Sequence, residues 1–175
     1  DMKIKTRRYY LYYLACIGGF LLRLIPLQCA IYFAGFLGKI GFYFAGKQKR
    51  TVVSNLKVAF PDKSNEEIDT LAKNVFSHLA KNAAELIHVR SFDRKNLSKW
   101  MTVEGFEKID RARENGKGII MLTAHIGNWE LIPFSFILKK YPSHVIARHL
   151  YFHKYDKFMA DVRSYIGPNV VYRDE

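Results

Sequence analysis

The loop TAHIGNWE carries the side chains of this chain that are best suited to chemistry. Its His125 and Glu130 stand five residues apart. A histidine held by a carboxylate is a general base, because the carboxylate fixes the tautomer and stabilises the imidazolium that forms when a hydroxyl proton is taken. The same spacing also arises incidentally, and Glu130 alone would suit the first turn of a helix. From the spacing alone both interpretations stay open.

Alternating strand and helix patterns surround this loop and would position it. The apolar run GIIMLT, residues 118–123, predicts a strand buried on both faces that ends just before His125. We predict an α/β fold with a mostly parallel or mixed sheet flanked by helices, whose ligands bind beyond the carboxyl ends of the strands. The other predicted elements are strands at 100–103, 143–147 and 169–172, and helices at 107–115, 128–138 and 156–166.

A longer amphipathic helix is predicted upstream of these elements. Ser64 and Glu67 form the pattern of a capping box at its start. A second, polar stripe of His78, Asn82 and Glu85 would face either a cleft or solvent, and the spacing favours solvent. The apolar residues predicted to face the core follow at helical spacing: Ile68, Leu71, Ala72, Val75, Phe76, Leu79, Ala83 and Leu86.

The net charge of this 175-residue chain is unevenly distributed. Its 28 Lys and Arg against 16 Asp and Glu give +12, of which residues 1–50 hold nine basic residues against one acidic one. The same 50 residues contain 11 of the 26 aromatic side chains. Basic flanks around an aromatic, apolar stretch favour a membrane anchor over a nucleic-acid patch. Two cysteines, Cys16 and Cys29, exclude a disulfide framework and a Cys-rich zinc module.

Residues 9–46 contain only two charges, Arg23 and Lys39, and their arrangement in a membrane stays open. Either a tilted helix crosses near 9–28 with Arg23 snorkelling, or Pro26 breaks the run into two short interfacial helices. A cleaved signal peptide is disfavoured, since no small-x-small site follows the apolar run. Four small residues would allow close packing against a neighbouring helix: Ala34, Gly38, Gly41 and Ala45.

The loop and its flanks together resemble the bacterial lipid A biosynthesis acyltransferases of the glycerolipid acyltransferase superfamily. HIGNWE is similar to the H-x4-D/E motif of that family, in its H-x-G-N-W-E form. RTVVSNLKVAFPDKS (50–64) resembles its R-x4-N-L-x2-A/V-F-P segment, and VEGFEKIDRARENGKGIIMLTAH (103–125) resembles its approach to the histidine. Arg148, Asp156 and Arg163 are similar to its R-P-x-x-N-P-x-x-D segment and the arginine beyond. His149 and Phe152 stand where the family has Pro and Asn.

The resemblance implies transfer of a fatty acyl chain from acyl carrier protein, or from acyl-CoA, to a hydroxyl of a lipid A precursor or related glycolipid. His125 would be the general base and Glu130 would orient it. Four further residues are expected to bind substrate: Gly127 and Asn128 through backbone N–H groups at the oxyanion, Arg148 at the acceptor's phosphate, and Arg163.

The resemblance also implies partners and a location. Acyl carrier protein, a phosphorylated glycolipid and the membrane are expected as partners, without a metal or redox cofactor and without nucleic acid. The expected location is the cytoplasmic face of the bacterial inner membrane, single-pass or monotopic, with an anchoring segment at 1–46 and an acyltransferase domain at 47–175. Family members extend further, so the resemblance implies that this chain is either a fragment or a truncated gene product, and both alternatives stay open. The alternative function is a catalytically inactive membrane-binding fragment.

Overall fold

The computed structural model describes residues 2–92, 99–114 and 116–173, and the chain forms two compact units, 1–88 and 89–175. The described part of the first unit is helical. The helices are α1 (Met2–Arg23), α2 (Leu27–Phe44), α3 (Gly46–Ala59) and α4 (Asn65–Ile87). Helix α4 packs against both α2 and α3, so the unit extends beyond the expected anchor boundary at residue 46, and that boundary stays a prediction.

Pro26 separates the first two helices. Its backbone is extended, with φ −55° and ψ 143°, directly before α2 begins. A single helix crossing at 9–28 is therefore wrong, and the break at Pro26 is confirmed, although helices of 22 and 18 residues are longer than expected. Within the described residues, α2 is long and apolar enough to cross a bilayer, with mean hydropathy 1.3. Buried core helices and signal sequences share that composition, so it does not establish a crossing.

The capping box predicted at the start of α4 is confirmed. The Ser64 hydroxyl accepts from the Glu67 N–H at 3.2 Å, and the Glu67 carboxylate accepts from the Ser64 N–H at 2.9 Å. That backbone hydrogen bond, followed by the neighbouring Lys63 ammonium, lowers the pKa of Glu67. Two donors that a helix start would otherwise leave unpaired are thereby satisfied.

Close approach to α2 determines which face of α4 is buried. Ile68 and Ala72 are buried as predicted, but Leu79 and Ala83 are exposed, which corrects the predicted stripe. The reason is the glycine at position 38, which brings the two backbones together on the side of α4 that carries small residues.

Backbone packing between α2 and α4 depends on two glycines. A Cβ placed on Gly38 would lie 2.5 Å from the Phe76 carbonyl oxygen, and one on Gly35 would lie 2.6 Å from the Lys81 side chain. The Ser77 hydroxyl donates to the Gly35 carbonyl at 2.9 Å in the buried contact. The predicted role of Gly38 is thus confirmed, whereas Gly41 has open space around it and takes no part.

The second unit contains a β-α-β arrangement. Strand β1 (His144–Ala147) pairs in parallel with β2 (Asn169–Tyr172), from His144 opposite Asn169 to Ala147 opposite Tyr172. The connecting helix α7 (His153–Ile166) ends at Gly167, whose φ of +104° suits glycine. Both strands and this helix confirm predictions, although α7 begins three residues earlier than expected.

Shorter helices complete the described part of the second unit. Helix α5 (Phe106–Glu114) and a 3-10 turn (Trp129–Leu131) that leads into α6 (Ile132–Leu138) match the predicted positions. Asn115, the last residue of the predicted helix at 107–115, lies outside the described residues. The Tyr165 hydroxyl donates to the carbonyls of Arg90 and Phe92, both at 3.1 Å, which joins α7 to the start of this unit.

Two predicted strands are wrong. Residues 100–103 and 118–123 have irregular backbone, and in the second segment Ile120 and Leu122 are 99% and 98% exposed instead of buried. A strand exists only when another strand completes its ladder, and the described residues place none beside 118–123. The described fold is therefore mostly helical with a two-stranded parallel sheet, and the α/β expectation is confirmed for β1, α7 and β2.

Candidate functional site

An ion pair fixes the carboxylate of the HIGNWE loop. Arg163 donates from Nε to one Glu130 oxygen at 3.0 Å and from Nη2 to the other at 2.6 Å. The two side chains are only 17% and 12% exposed. The hydrogen bond to Glu130 is the main cause that raises the pKa of Arg163, so the guanidinium stays charged. A residue expected to bind substrate is thus held, through two parallel hydrogen bonds, by the expected orienting carboxylate.

The ring of His125 lies on the exposed part of the same loop. Its centroid is 4.7 Å from that of Trp129, with the rings tilted by 53°. The expected hydrogen bond between His125 and Glu130 is not formed, and the ring makes none to the rest of the described chain. The histidine is therefore accessible to a substrate hydroxyl, while its expected orienting partner is engaged by Arg163.

The turn after His125 explains the glycine at position 127. Gly127 has a φ of +59°, in the left-handed region that glycine occupies without strain. Asn128 follows at the cap position of the 3-10 turn, and its carbonyl accepts from the Leu131 N–H at 3.0 Å. Its side chain makes no capping hydrogen bond, contrary to the usual behaviour of asparagine there. The oxyanion role of these two N–H groups stays a prediction.

The loop after β1 holds Arg148 at the carboxyl edge of the sheet. The Asp156 carboxylate accepts from the Leu150 N–H and from the His149 Nδ1–H, both at 2.8 Å. The first of these hydrogen bonds and then the second lower the pKa of Asp156. The His149 ring also stacks on Tyr172 at the end of β2, with centroids 3.8 Å apart and planes 6° apart. The loop is therefore fastened to α7 through Asp156 and to the end of β2 through Tyr172.

Helix α7 carries two of these anchoring residues. Asp156 and Arg163 are seven residues apart, which places them about two turns apart on one helix face. Asp156 orders the loop after β1 and Arg163 binds the loop after residues 118–123. The sequence did not reveal the contact of His149 with Tyr172, because an aromatic stack between a loop and a strand end has no signature in spacing.

The described His, Cys, Asp and Glu side chains bear on the question of a metal site. Within 2–92, 99–114 and 116–173, no group of three or more His, Cys, Asp or Glu side chains is arranged to hold a metal ion. The expectation of chemistry without a metal remains a prediction from the sequence.

An exposed histidine on the same loop as a carboxylate held by an arginine could take a proton from a substrate hydroxyl, as a general base does. The family model for bacterial lipid A biosynthesis acyltransferases matches residues 1–175, and the chain belongs to this family. Comparisons with curated proteins and with solved structures give no match.

Proposed function

We propose that this chain transfers a fatty acyl group from a thioester, carried by acyl carrier protein or by CoA, to a hydroxyl of a lipid A precursor or related phosphorylated glycolipid. Membership of the family along the entire chain carries this proposal. The net charge of +12 supports it, because the carrier protein, the acceptor phosphate and the inner leaflet are all anionic.

His125 acts as the general base in the proposed reaction. The imidazole takes the proton of the acceptor hydroxyl, and the resulting oxygen nucleophile attacks the thioester carbonyl carbon. The tetrahedral oxyanion that forms is bound by the N–H groups of Gly127 and Asn128. When the C–S bond breaks, the thiolate leaves with the proton that the imidazolium returns. The products are the acyl ester and the free thiol.

Glu130 can orient His125 without releasing Arg163. An ionised carboxylate has about four lone-pair positions, and Arg163 uses two of them. In the proposed reactive arrangement, one of the remaining positions accepts a hydrogen bond from the His125 N–H. Arg163 then acts on the reaction through Glu130, as a positioning residue, in addition to the substrate contact expected from the sequence.

Arg148 is proposed to bind the acceptor's phosphate. It is exposed and follows directly on the last residue of β1, where ligands of parallel sheets bind. A guanidinium binds phosphate through two parallel hydrogen bonds, which fixes the orientation of the glycolipid as well as its position. The hydrogen bonds of Asp156 keep the loop of Arg148 in place.

The proposed site for this reaction is the cytoplasmic face of the bacterial inner membrane. Membership of the family and the apolar helix α2 support this location. The carrier protein would approach from the cytoplasm, and the glycolipid acceptor would come from the leaflet itself.

The test is transfer of a radiolabelled acyl chain from acyl carrier protein to a lipid A precursor. Replacing His125 by Ala should lower the rate about 10²- to 10⁴-fold, the usual contribution of a general base. His144→Ala is the matched control, because His144 lies at the opposite end of β1 from Arg148. Equal rates for wild type and His125→Ala would exclude the base. No transfer by the unaltered chain, with vesicle binding retained, would favour the inactive membrane-binding alternative.

A further inference from the structure

Helix α2 is apolar on the face that points away from the protein. One side is buried in the first unit, including Ala30, Ala34 and Phe42. The other side is exposed although it is almost entirely hydrophobic. We call this the outer face of α2, and it consists of Tyr32, Phe33, Phe36, Ile40, Tyr43 and Phe44. A contiguous exposed apolar patch of this kind marks a site of contact with a membrane or with another protein.

Helix α4 runs antiparallel along the inner side of α2 at every level. Near the end of α2, the Phe42 ring packs against Phe76 with centroids 5.5 Å apart. Gly38 lies against Ala80 further back. Beyond the start of α2, the His88 ring hydrogen bonds with the Ile25 carbonyl at 3.2 Å. Any depth that α2 reaches in a bilayer is therefore also reached by α4.

The charges of α4 make a crossing by α2 expensive. Lys73, which is paired with Asp69, lies over the Tyr43 ring at one end of α2, and Lys81 lies beside Gly35 near the middle of α2. A charged residue at the centre of a membrane helix costs about 2.5 to 3.5 kcal/mol even on permissive scales. If α2 instead lies flat, α4 stays on the water side and none of this cost arises.

We infer that α2 lies in the plane of one leaflet, with its outer face among the lipid acyl chains and α4 towards water. The helix then binds the membrane without crossing it. The charge of the segment matches an anionic lipid surface, since residues 1–50 carry nine basic side chains against one acidic. Lys39 is exposed on the same helix, where its ammonium can reach headgroups from the leaflet boundary. This inference stands independently of the acyl-transfer chemistry.

The first test compares the two ends of α2. In the full chain with Cys16→Ser and Cys29→Ser, single cysteines are introduced as Gln28→Cys or Lys47→Cys, both at exposed positions. A membrane-impermeant maleimide is then added to sealed inner-membrane vesicles of either orientation. A helix in the plane of the leaflet gives labelling of both positions from the cytoplasmic side alone. Labelling of the two positions from opposite sides would overturn the inference.

The second test measures depth along the outer face. A fluorophore is attached to Phe33→Cys or Phe44→Cys and quenched by nitroxide lipids of known depth, in vesicles containing phosphatidylglycerol. In-plane binding gives equal depths, whereas an upright helix separates these positions by about 16 Å at 1.5 Å per residue. Thr70→Cys, exposed on α4, is the control and should escape quenching by deep nitroxides.

The same set of cysteine variants shows whether lipid or a second copy of the chain covers the outer face of α2. All the labelled side chains are exposed and lie outside the buried core. Efficient cross-linking of Phe36→Cys between copies, together with absence of lipid quenching, would show that protein covers the outer face and would overturn the inference. Quenching by lipid without cross-linking supports it. The acyl-transfer assay is read separately, so that a failure of either proposal is recognisable.

Discussion

Glu130 and Arg163 show how residues far apart in the chain meet in the candidate site. The carboxylate belongs to the HIGNWE motif, while the guanidinium comes from α7, 33 residues later. Both side chains are largely buried, so each charge depends on the other for solvation. We therefore expect the pair to matter for stability as well as for orientation of His125.

Breaking this pair should destabilise the protein measurably. Arg163→Gln leaves the carboxylate of Glu130 in a poorly solvated position, and we expect a loss of about 2 kcal/mol in the free energy of unfolding. Urea unfolding of Arg163→Gln, of Glu130→Gln and of the double variant gives the coupling energy between the two side chains. We expect this coupling energy to be about 1 to 3 kcal/mol. Arg111→Gln, at an exposed position of α5, should change stability by less than about 0.5 kcal/mol. A coupling near zero would contradict the contact.

The positioning role of Arg163 predicts a particular kinetic pattern. Arg163→Lys keeps the positive charge but cannot form the bidentate hydrogen bonds to Glu130. We therefore expect kcat to fall about tenfold or more while KM changes little. The pH dependence of kcat should shift as well, because His125 would lose its oriented carboxylate. A rise in KM alone would instead identify Arg163 as a substrate contact.

Asp156 should make the loop of Arg148 sensitive to acid. The hydrogen bonds from Leu150 and His149 lower the pKa of Asp156 in the folded state. The ionised carboxylate therefore contributes its full stabilisation above the ordinary pKa of 3.8, and this stabilisation is lost as the pH falls through the lowered pKa of the folded state. We expect hydrogen-exchange protection of the Leu150 amide to decline over that acidic range. In Asp156→Asn the protection should already be low at neutral pH. Protection that does not depend on pH in the wild type would refute this.

The sequence reveals one part of the site and conceals another. His125, Glu130 and Arg148 could be proposed as site residues from the sequence because a loop motif is a local pattern that needs no distant partner. The bond between Glu130 and Arg163 could not, since both residues also suit other roles and only the fold brings them together. The contact of His149 with Tyr172 is likewise a product of parallel pairing between β1 and β2.

At the level of whole elements, the start of α4 could be predicted from local sequence, whereas the structure of residues 118–123 could not. Ser64 and Glu67 specify the start of α4 within one turn, so the prediction needs no distant partner. A strand depends on a neighbouring strand, and apolar composition alone does not supply it. Residues 118–123 therefore have strand composition without being a strand in the described fold.

Two glycines of α2 offer a matched test of helix packing. Gly38→Ala places a methyl 2.5 Å from the Phe76 carbonyl, so we expect a loss of about 1 to 3 kcal/mol despite the better helix propensity of alanine. Gly41→Ala meets nothing within 4 Å and should leave stability unchanged or raise it by up to about 1 kcal/mol. Thermal unfolding followed by circular dichroism in detergent compares the two. Equal changes would show that α2 and α4 do not approach as closely as described.

At the scale of the molecule, two exposed apolar surfaces of the described chain differ in their backbone structure. The outer face of α2 is a regular helix whose backbone groups are already paired, so it can enter lipid at low cost. Residues 118–123 are apolar as well, but their backbone lacks a ladder partner among the described residues. The first surface therefore suits a membrane, whereas the second suits another strand.

The segment 118–123 should consequently drive self-association when the purified chain is kept in detergent micelles that cover α2. It has strand-forming residues, no charge and no proline, which is the composition of aggregation-prone segments. Ile120→Lys places a charge in its centre at a side chain that is 99% exposed, so folding should be unaffected while thioflavin fluorescence and light scattering rise several-fold more slowly. Val58→Lys, an equally drastic change at an exposed position of α3, should leave the aggregation rate as in the wild type. If both variants slow aggregation alike, added net charge explains the effect, and the unpaired segment does not.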